Sequence, residues 1–126
     1  MKDEDLMIDI KETAKGIYEA LDAKKAEDIK IIDISELSDI ADYFILATAN
    51  NPNQMEALQD AVDEYMTRSG IPAKSIEGHS RNRSNWILMD YTDIIVHLFD
   101  REARDFYNLE HIWKGRYLSV QNELCT

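Results

Sequence analysis

Side chains that could do chemistry are few in this chain, and their spacing does not favour catalysis. Asp90 and Asp93 stand three residues apart across a short polar link, whereas carboxylates on alternate residues of a strand would share one face and could hold Mg²⁺ together. The histidines, His79, His97 and His111, do not have the spacing of metal ligands. No Ser or Cys has a plausible base beside it in the sequence. We therefore predict no catalytic residue, no metal site and no cofactor, and a protein that is not an enzyme.

Composition and charge restrict the class of partner. The 126 residues contain 14 Lys and Arg against 25 Asp and Glu, for a formal net charge of −11. A protein that binds nucleic-acid phosphates over a broad face normally has the opposite sign. The acidic balance favours a basic protein partner, or serves only solubility, and we expect no direct binding of nucleic acid.

Compartment signals in the sequence indicate the cytoplasm. The lone cysteine, Cys125, leaves no internal disulfide and no thiolate metal cluster. Residues 1–5 are acidic where a secretory signal would be basic. No apolar run approaches the ~20 residues that a membrane span requires. We expect a cytoplasmic protein with no membrane segment.

The N-terminal half predicts two helices around two strands. A first helix is indicated by apolar residues at helical spacing, Ile10, Ala14, Ile17 and Leu21. Segments 28–34 and 43–48 are rich in β-branched or apolar residues and predict strands. A second helix should begin after Asn51, with Pro52 at its first position and Gln54 completing a capping box, and end at Gly70. Its buried stripe is Met55, Leu58, Val62 and Met66.

The C-terminal half predicts a hairpin followed by a last helix. Residues 74–85 are polar and predict a mostly exposed loop, and apolar segments 86–89 and 94–99 are joined by a link short enough to make them antiparallel. Asp100 can cap a last helix, whose apolar stripe is Ala103, Phe106, Leu109 and Trp113. Together these elements predict a single α/β domain over 1–126, with a mixed sheet packed against helices, a core over about 10–115 and a peripheral tail at 116–126.

Several motifs in the predicted hairpin and last helix match a known family. Trp86 opens an apolar strand, and the next strand ends in Val96-His97-Leu98-Phe99. Between them lies Asp90-Tyr91-Thr92-Asp93, and downstream stands Arg104-Asp105-Phe106-Tyr107-Asn108-Leu109-Glu110-His111-Ile112-Trp113. With Asp42-Tyr43-Phe44-Ile45 and Glu77-Gly78, these motifs closely resemble the ribosomal silencing factor family, also called the Iojap-related family. The resemblance covers about residues 10–115, with Thr92 where the family favours Gly.

The resemblance implies a fold and a function. The expected fold is similar to a nucleotidyltransferase core that lacks the chemistry. The expected activity is binding to the large ribosomal subunit through its fourteenth ribosomal protein, which blocks subunit joining and represses translation when nutrients are limiting. The family also implies a homodimer when the protein is free.

The resemblance favours binding at the hairpin link, by Asp90, Tyr91 and Asp93. Nine side chains in all are candidate partner-binding residues that also have structural explanations. They are Trp86, Asp90, Tyr91, Asp93, His97, Arg104, Tyr107, Glu110 and Trp113. Tyr91 would face solvent in the hairpin link as an aromatic anchor, and Asp90 and Asp93 would attract a basic partner or accept backbone N–H groups of the turn.

The other candidates are open to two interpretations. His97 lies within a strand and is more often a hydrogen-bonded packing residue than a ligand. Arg104, Tyr107 and Glu110 can share one flank of the last helix, either as a solvated charged face or as part of a docking or dimer surface. Trp86 and Trp113 could belong to the core, but Trp is over-represented at interfaces.

Two alternatives remain open at this point. A metal-dependent nucleotidyltransferase would need a Gly-Ser loop for phosphates, where this chain has Ala49-Asn50-Asn51. A homodimeric adaptor for another partner would dimerise but not bind ribosomes. Binding of Mg²⁺ and nucleotide, or dimerisation without ribosome binding, would distinguish these alternatives from ribosome silencing.

Overall fold

The protein is described by a computed structural model over residues 10–36, 39, 41–78, 85–107 and 117–118. Three helices and six strands lie within these ranges. The helices are α1 (Ile10–Ala23), α2 (Pro52–Arg68) and α3 (Arg101–Tyr107). The strands are β1 (Glu27–Asp33), β2 (Tyr43–Ala49), β3 (Ser75–Glu77), β4 (Trp86–Asp90), β5 (Ile94–Asp100) and β6 (Tyr117–Leu118).

The strands form one mixed sheet in the order β3-β4-β5-β2-β1-β6. The central pair, β2 and β5, is parallel, with Tyr43 opposite Ile94 and Ala49 opposite Asp100. All other neighbours are antiparallel, including the β4–β5 hairpin. The predicted α/β fold with a mixed sheet and helices is confirmed.

The ends of α2 are formed by the predicted capping residues. Asn51 is extended and its side chain accepts a hydrogen bond from Gln54 N at 2.8 Å, while Pro52 occupies the first turn. Gly70 has φ 83°, which is the left-handed conformation that glycine adopts without a steric penalty. Ile71 N then donates to Met66 O at 2.8 Å, which closes a Schellman motif and stops the helix.

One face of the sheet, the helical face, is covered by α1 and α2. The apolar stripes of both helices pack on alternate residues of the strands, such as Ile45 of β2 and Val96 of β5. The two helices come very close at Gly16, where an added Cβ would overlap the Tyr65 hydroxyl. Full burial of each Leu, Ile or Met side chain stabilises the fold by about 1.5–3 kcal/mol.

The opposite face of the sheet, the second face, contains a smaller apolar cluster. Its buried members are Ile32, Ile34, Ala41, Leu46, Ile95, Phe99 and Ala103. Helix α3 contributes Ala103 to this cluster, but Phe106 is 79% exposed. The prediction that Phe106 belongs to a buried stripe is therefore wrong, because α3 turns Ala103 and Arg104 towards the sheet instead. Leu109 and Trp113, the other two positions of that stripe, lie outside the described residues.

Two short strands were not predicted from the sequence. Ser75–Glu77 lies in the segment expected to be an exposed loop and pairs with β4. Tyr117–Leu118 lies in the segment expected to be a peripheral tail and pairs with β1 at the edge of the sheet. Neither strand has the length or the clear alternation that predicts a strand from sequence.

The described helices were also compared with what a bilayer requires. None of them combines the length and the apolar character of a transmembrane helix.

Candidate functional site

The second face of the sheet has a group of aromatic rings on the β4–β5 hairpin and on the neighbouring strand β2. We call Phe44, Trp86, His97 and Phe99 the aromatic cluster. Strand alternation places them on one face, since Trp86 is opposite Phe99 across the β4–β5 pair and Phe44 lies on the neighbouring β2. Phe44 and Trp86 are half-buried, whereas His97 and Phe99 are buried. The cluster therefore has a buried base and two rings at its margin that reach solvent.

Trp86 and His97 are joined by a hydrogen bond across the two strands. Trp86 Nε1 donates to His97 Nδ1 at 3.1 Å. The indole also stacks on Phe99, with ring centroids 5.3 Å apart and planes at 27°. Because Nδ1 accepts, the neutral imidazole carries its proton on Nε2.

His97 is held neutral by its surroundings. The side chain is 4% exposed, and burial lowers its pKa from 6.5 to about 4. Phe44 meets the imidazole edge-on at 4.9 Å between ring centroids. His97 Nε2 is buried and has no hydrogen-bond partner among the described residues. These contacts agree with a packing residue that has one hydrogen bond, and the 4% exposure leaves little surface for direct contact with a partner.

The hairpin tip, residues 90–93, is a compact turn. Asp90 Oδ1 accepts a hydrogen bond from Thr92 N at 2.8 Å, and Tyr91 N donates to Ile94 O at 2.9 Å. Thr92 has φ 76°, which is rare for a β-branched residue. Asp90 thus has the turn role considered from the sequence, and Thr92 and Asp93 are exposed at the end of the sheet.

Tyr91 does not face solvent. Its side chain is 3% exposed, and its hydroxyl donates to Asp63 Oδ1 of α2 at 3.0 Å. The prediction of an exposed Tyr91 is wrong because the alternation of β4 continues beyond the strand, so that Tyr91 follows Ile87 and Met89 onto the helical face. Burial, and then the bond to Asp63, raises the pKa of the Tyr91 hydroxyl far above its ordinary value. Tyr91 ties the hairpin to α2 and offers no surface to a partner in this structure.

Arg104 is also buried, against the expectation of an exposed helix flank. It is 3% exposed and donates from Nη1 to Thr48 Oγ1 at 2.8 Å and from Nη2 to Asp28 O at 2.7 Å. These bonds fix α3 to the sheet and give hydrogen-bond partners to the buried guanidinium. The rest of that flank, the Tyr107 side chain and Glu110, lies outside the described residues, as does Trp113, so the contact roles of these three stay predictions.

The end of the sheet near α3 has ion pairs on its surface. Arg101 contacts Asp28 at 2.7 Å and Glu27 at 3.2 Å. The Arg101 hydrogen bond holds the pKa of the Asp28 carboxyl below its ordinary value. Because all three side chains are about half exposed, these pairs contribute little to stability, and we assign them no docking role.

The loop after β2 is closed by its own hydrogen bonds. Gln54 Oε1 accepts from Asn50 N at 2.6 Å, and Gln54 Nε2 donates to Lys25 O at 2.9 Å. Asn50 Nδ2 donates to Glu27 Oε2 at 3.2 Å. The backbone N–H and the side-chain amide of Asn50 are thus bonded within the chain and do not point into an open phosphate cradle. Among the described residues, no group of three or more His, Cys, Asp or Glu could hold a metal ion.

Comparison with known proteins decides the family. The profile described as "Ribosomal silencing factor during starvation" matches residues 7–124. The chain belongs to the ribosomal silencing factor family. A ribosomal silencing factor of Bacillus subtilis is 37% identical over 94 residues, which are 75% of this chain and 78% of the relative. The relatives' names are those of a regulatory factor and not of an enzyme.

Solved structures support the silencing-factor fold. A crystal structure of a Chromobacterium violaceum protein is 32% identical with a TM-score of 0.81, and the match covers 89% of this chain and 92% of that one. A crystal structure from Bacillus halodurans is 28% identical with a TM-score of 0.75, and that match covers 86% and 98%. The resemblance inferred from the hairpin motifs is therefore confirmed.

Two side-chain contacts of this silencing factor are absent from the sequence-based predictions. The Tyr91–Asp63 bond joins residues 28 positions apart, and the Arg104–Thr48 bond joins residues 56 apart. Continued alternation from Ile87 and Met89 was the available signal for the burial of Tyr91. No sequence signal pointed to the burial of Arg104.

Proposed function

We propose that this silencing factor represses translation by binding the large ribosomal subunit and blocking its joining with the small subunit. The partner would be the fourteenth ribosomal protein of the large subunit, and the cytoplasm is the expected compartment. The observation that carries the proposal is membership of the family over nearly the whole chain. The net charge of −11 adds support, because it suits a basic protein partner better than nucleic acid.

The proposed docking surface is the second face of the sheet together with the hairpin tip. Phe44, Trp86 and Leu88 are half-buried there and bring apolar area to the surface. Asp93 is exposed at the tip and would attract basic side chains. Aromatic anchors on the sheet face would supply most of the affinity, and the charge at the tip would raise the rate of association.

The predicted contacts are revised by burial. Trp86 is proposed as an anchor, Asp93 as a charged contact, and Asp90 as the residue that shapes the tip. Tyr91 and Arg104 are not proposed as contacts, because their side chains are buried. Tyr107, Glu110 and Trp113 stay predicted contacts on the segment that begins with α3, and the free protein is proposed to be a homodimer.

A sucrose gradient of the purified protein with isolated ribosomal subunits tests the proposal. We expect wild-type protein to migrate with large subunits, not with small subunits, and to reduce the amount of joined particle. Trp86→Ala should weaken this association, while Glu19→Ala on the exposed surface of α1 serves as a matched control on the other side of the sheet. Wild-type protein that stays at the top of the gradient, with joining unaffected, would refute the function.

A further inference from the structure

We propose that His97 is a positioning residue that acts on the partner only through Trp86. In this view His97 Nδ1 holds the indole in the orientation that docking requires, by accepting the hydrogen bond from Trp86 Nε1 at 3.1 Å. The inference rests on the proposed function, in which Trp86 is an anchor of the docking surface.

The imidazole is itself firmly placed. His97 is on β5, between the parallel partner β2 and the antiparallel partner β4, with Leu46 and Leu88 opposite it. Phe44 meets its ring at 68°, and Phe99 lies nearly parallel to it at 6°. A side chain packed on both neighbouring strands has little rotamer freedom, so Nδ1 is a fixed acceptor.

Two contacts restrict the Trp86 indole in different directions. Stacking on Phe99 sets the plane of the ring, and the bond to His97 sets its rotation within that plane. Trp86 lies at the first residue of β4 and is only half-buried, so packing alone surrounds one side of it. An anchor that is already ordered loses less side-chain entropy on binding. Removing the hydrogen bond should therefore leave Trp86 less ordered and so weaken binding to the large subunit.

His97 is poorly suited to contact the partner directly. Its side chain is 4% exposed, and its remaining donor, Nε2–H, is buried. Among the described residues, the side chain of His97 has its one hydrogen bond with Trp86. A mutation at His97 should thus have an effect that depends on Trp86 being present.

Substitutions at His97 can separate its two nitrogens. His97→Asn places an amide oxygen near the position of Nδ1 and can still accept from Trp86. His97→Gln places its amide near the position of Nε2 and cannot, and His97→Phe keeps a ring but has no acceptor. We expect His97→Phe and His97→Gln to bind large subunits about tenfold more weakly and His97→Asn to retain most of the affinity.

The decisive measurement is a double-mutant cycle with Trp86→Phe, by titration of fluorescently labelled protein with isolated large subunits. Thermal unfolding of each variant ensures that all are folded at the assay temperature. His97→Phe should weaken binding to large subunits about tenfold in the wild-type background and should have no further effect in the Trp86→Phe background. If His97→Phe costs the same factor in both backgrounds, or binds as wild type while Trp86→Phe is weakened, the positioning role is wrong.

A second measurement reports on Trp86 without ribosomes. The chain has two tryptophans, so its NMR spectrum should contain two indole N–H signals, and Trp86→Phe identifies one of them. That signal should exchange slowly with solvent in wild type and His97→Asn, and quickly in His97→Phe and His97→Gln. Equal exchange rates in wild type and His97→Phe would overturn the inference. Failure of wild type to bind large subunits would instead overturn the proposed function, and the inference with it.

Discussion

Among the described residues, Thr92 is the one at which backbone conformation and side-chain type conflict most. Its φ of 76° lies in the left-handed region, where a β-branched side chain is strained. The bond from its N–H to Asp90 and the bonds around Tyr91 hold it there. The tip therefore keeps its shape at a cost in stability.

Thr92→Gly should raise the free energy of unfolding by about 1 kcal/mol, because glycine adopts this φ without a clash of Cβ. Urea denaturation at neutral pH measures the change. Thr92→Val, which has the same shape without the hydroxyl, is the matched control and should not be more stable than wild type. A Thr92→Gly variant no more stable than wild type would show that the tip is not strained at this residue.

The lowered pKa of His97 predicts how the free energy of unfolding depends on pH. The folded protein keeps the imidazole neutral down to about pH 4, whereas an unfolded histidine protonates near 6.5. Between these values the unfolded chain binds more protons, so this contribution to stability is fully present above pH 6.5 and is lost as pH falls towards 4. At 1.36 kcal/mol per pKa unit, the loss amounts to about 3 kcal/mol.

Urea denaturation of wild type and His97→Phe at pH 7 and pH 4.5 tests this dependence. Carboxylates titrate in both proteins, so their effect cancels in the comparison. Wild type should lose about 2–3 kcal/mol more than His97→Phe over this interval. Parallel losses in the two proteins would mean that His97 titrates normally in the folded state.

At the scale of elements, one hydrogen bond joins the β4–β5 hairpin to α2. Tyr91 Oη and Asp63 Oδ1 are 3.0 Å apart, and Tyr91 also packs among the apolar residues of the helical face. Truncation to Ala would therefore open a cavity and destabilise the fold, so Tyr91→Ala does not report on docking alone.

Tyr91→Phe removes only the hydroxyl and should lower the free energy of unfolding by about 1 kcal/mol. Asp63→Asn keeps an acceptor oxygen and should cost less than Asp63→Ala, which leaves the tyrosine hydroxyl without its acceptor. Thermal or urea unfolding compares the three variants. Tyr91→Phe as stable as wild type would show that the bond contributes nothing to fixing the hairpin on α2.

The elements also show what sequence patterns can and cannot predict. The stripe of α2 was predicted fully, since Met55, Leu58, Val62 and Met66 are all buried, and the capping box at Asn51 forms as expected. Local periodicity and local hydrogen bonds determine both features. Burial of Arg104 depends on Thr48 and on the carbonyl of Asp28, which lie far away in the sequence. No local pattern contains that information.

The candidate site was likewise predicted only in part from the sequence. The motifs indicated the hairpin, and the structure brings Trp86 and His97 together as a bonded pair. Side chains in a hairpin link are predicted to face solvent, which holds for Thr92 and Asp93 but not for Tyr91. The alternation of β4 continues through Tyr91, and Asp63 of α2 accepts its hydroxyl on the helical face.

At the scale of the whole molecule, the charge of −11 should speed encounter with a basic partner. Asp93 is exposed at the tip, so Asp93→Lys should slow association with large subunits, most strongly at low salt. Stopped-flow mixing at several salt concentrations measures the rate. Glu19→Lys makes the same change of net charge on α1 and should slow association less.

Equal slowing by Asp93→Lys and Glu19→Lys would mean that only the net charge affects the association rate. The hairpin tip would then have no special part in the first contact with the partner. Rates independent of salt would rule out steering altogether.

The parallel pairing of β2 with β5 has a consequence for how the chain is made. Tyr43 pairs with Ile94, so the centre of the sheet joins segments about fifty residues apart. During synthesis, α1, β1, β2 and α2 emerge first, and one edge of β2 has no neighbour until β5 follows. Unpaired strand edges are prone to join other chains. A protein of this topology is therefore most exposed to aggregation while it is still attached to the ribosome that makes it.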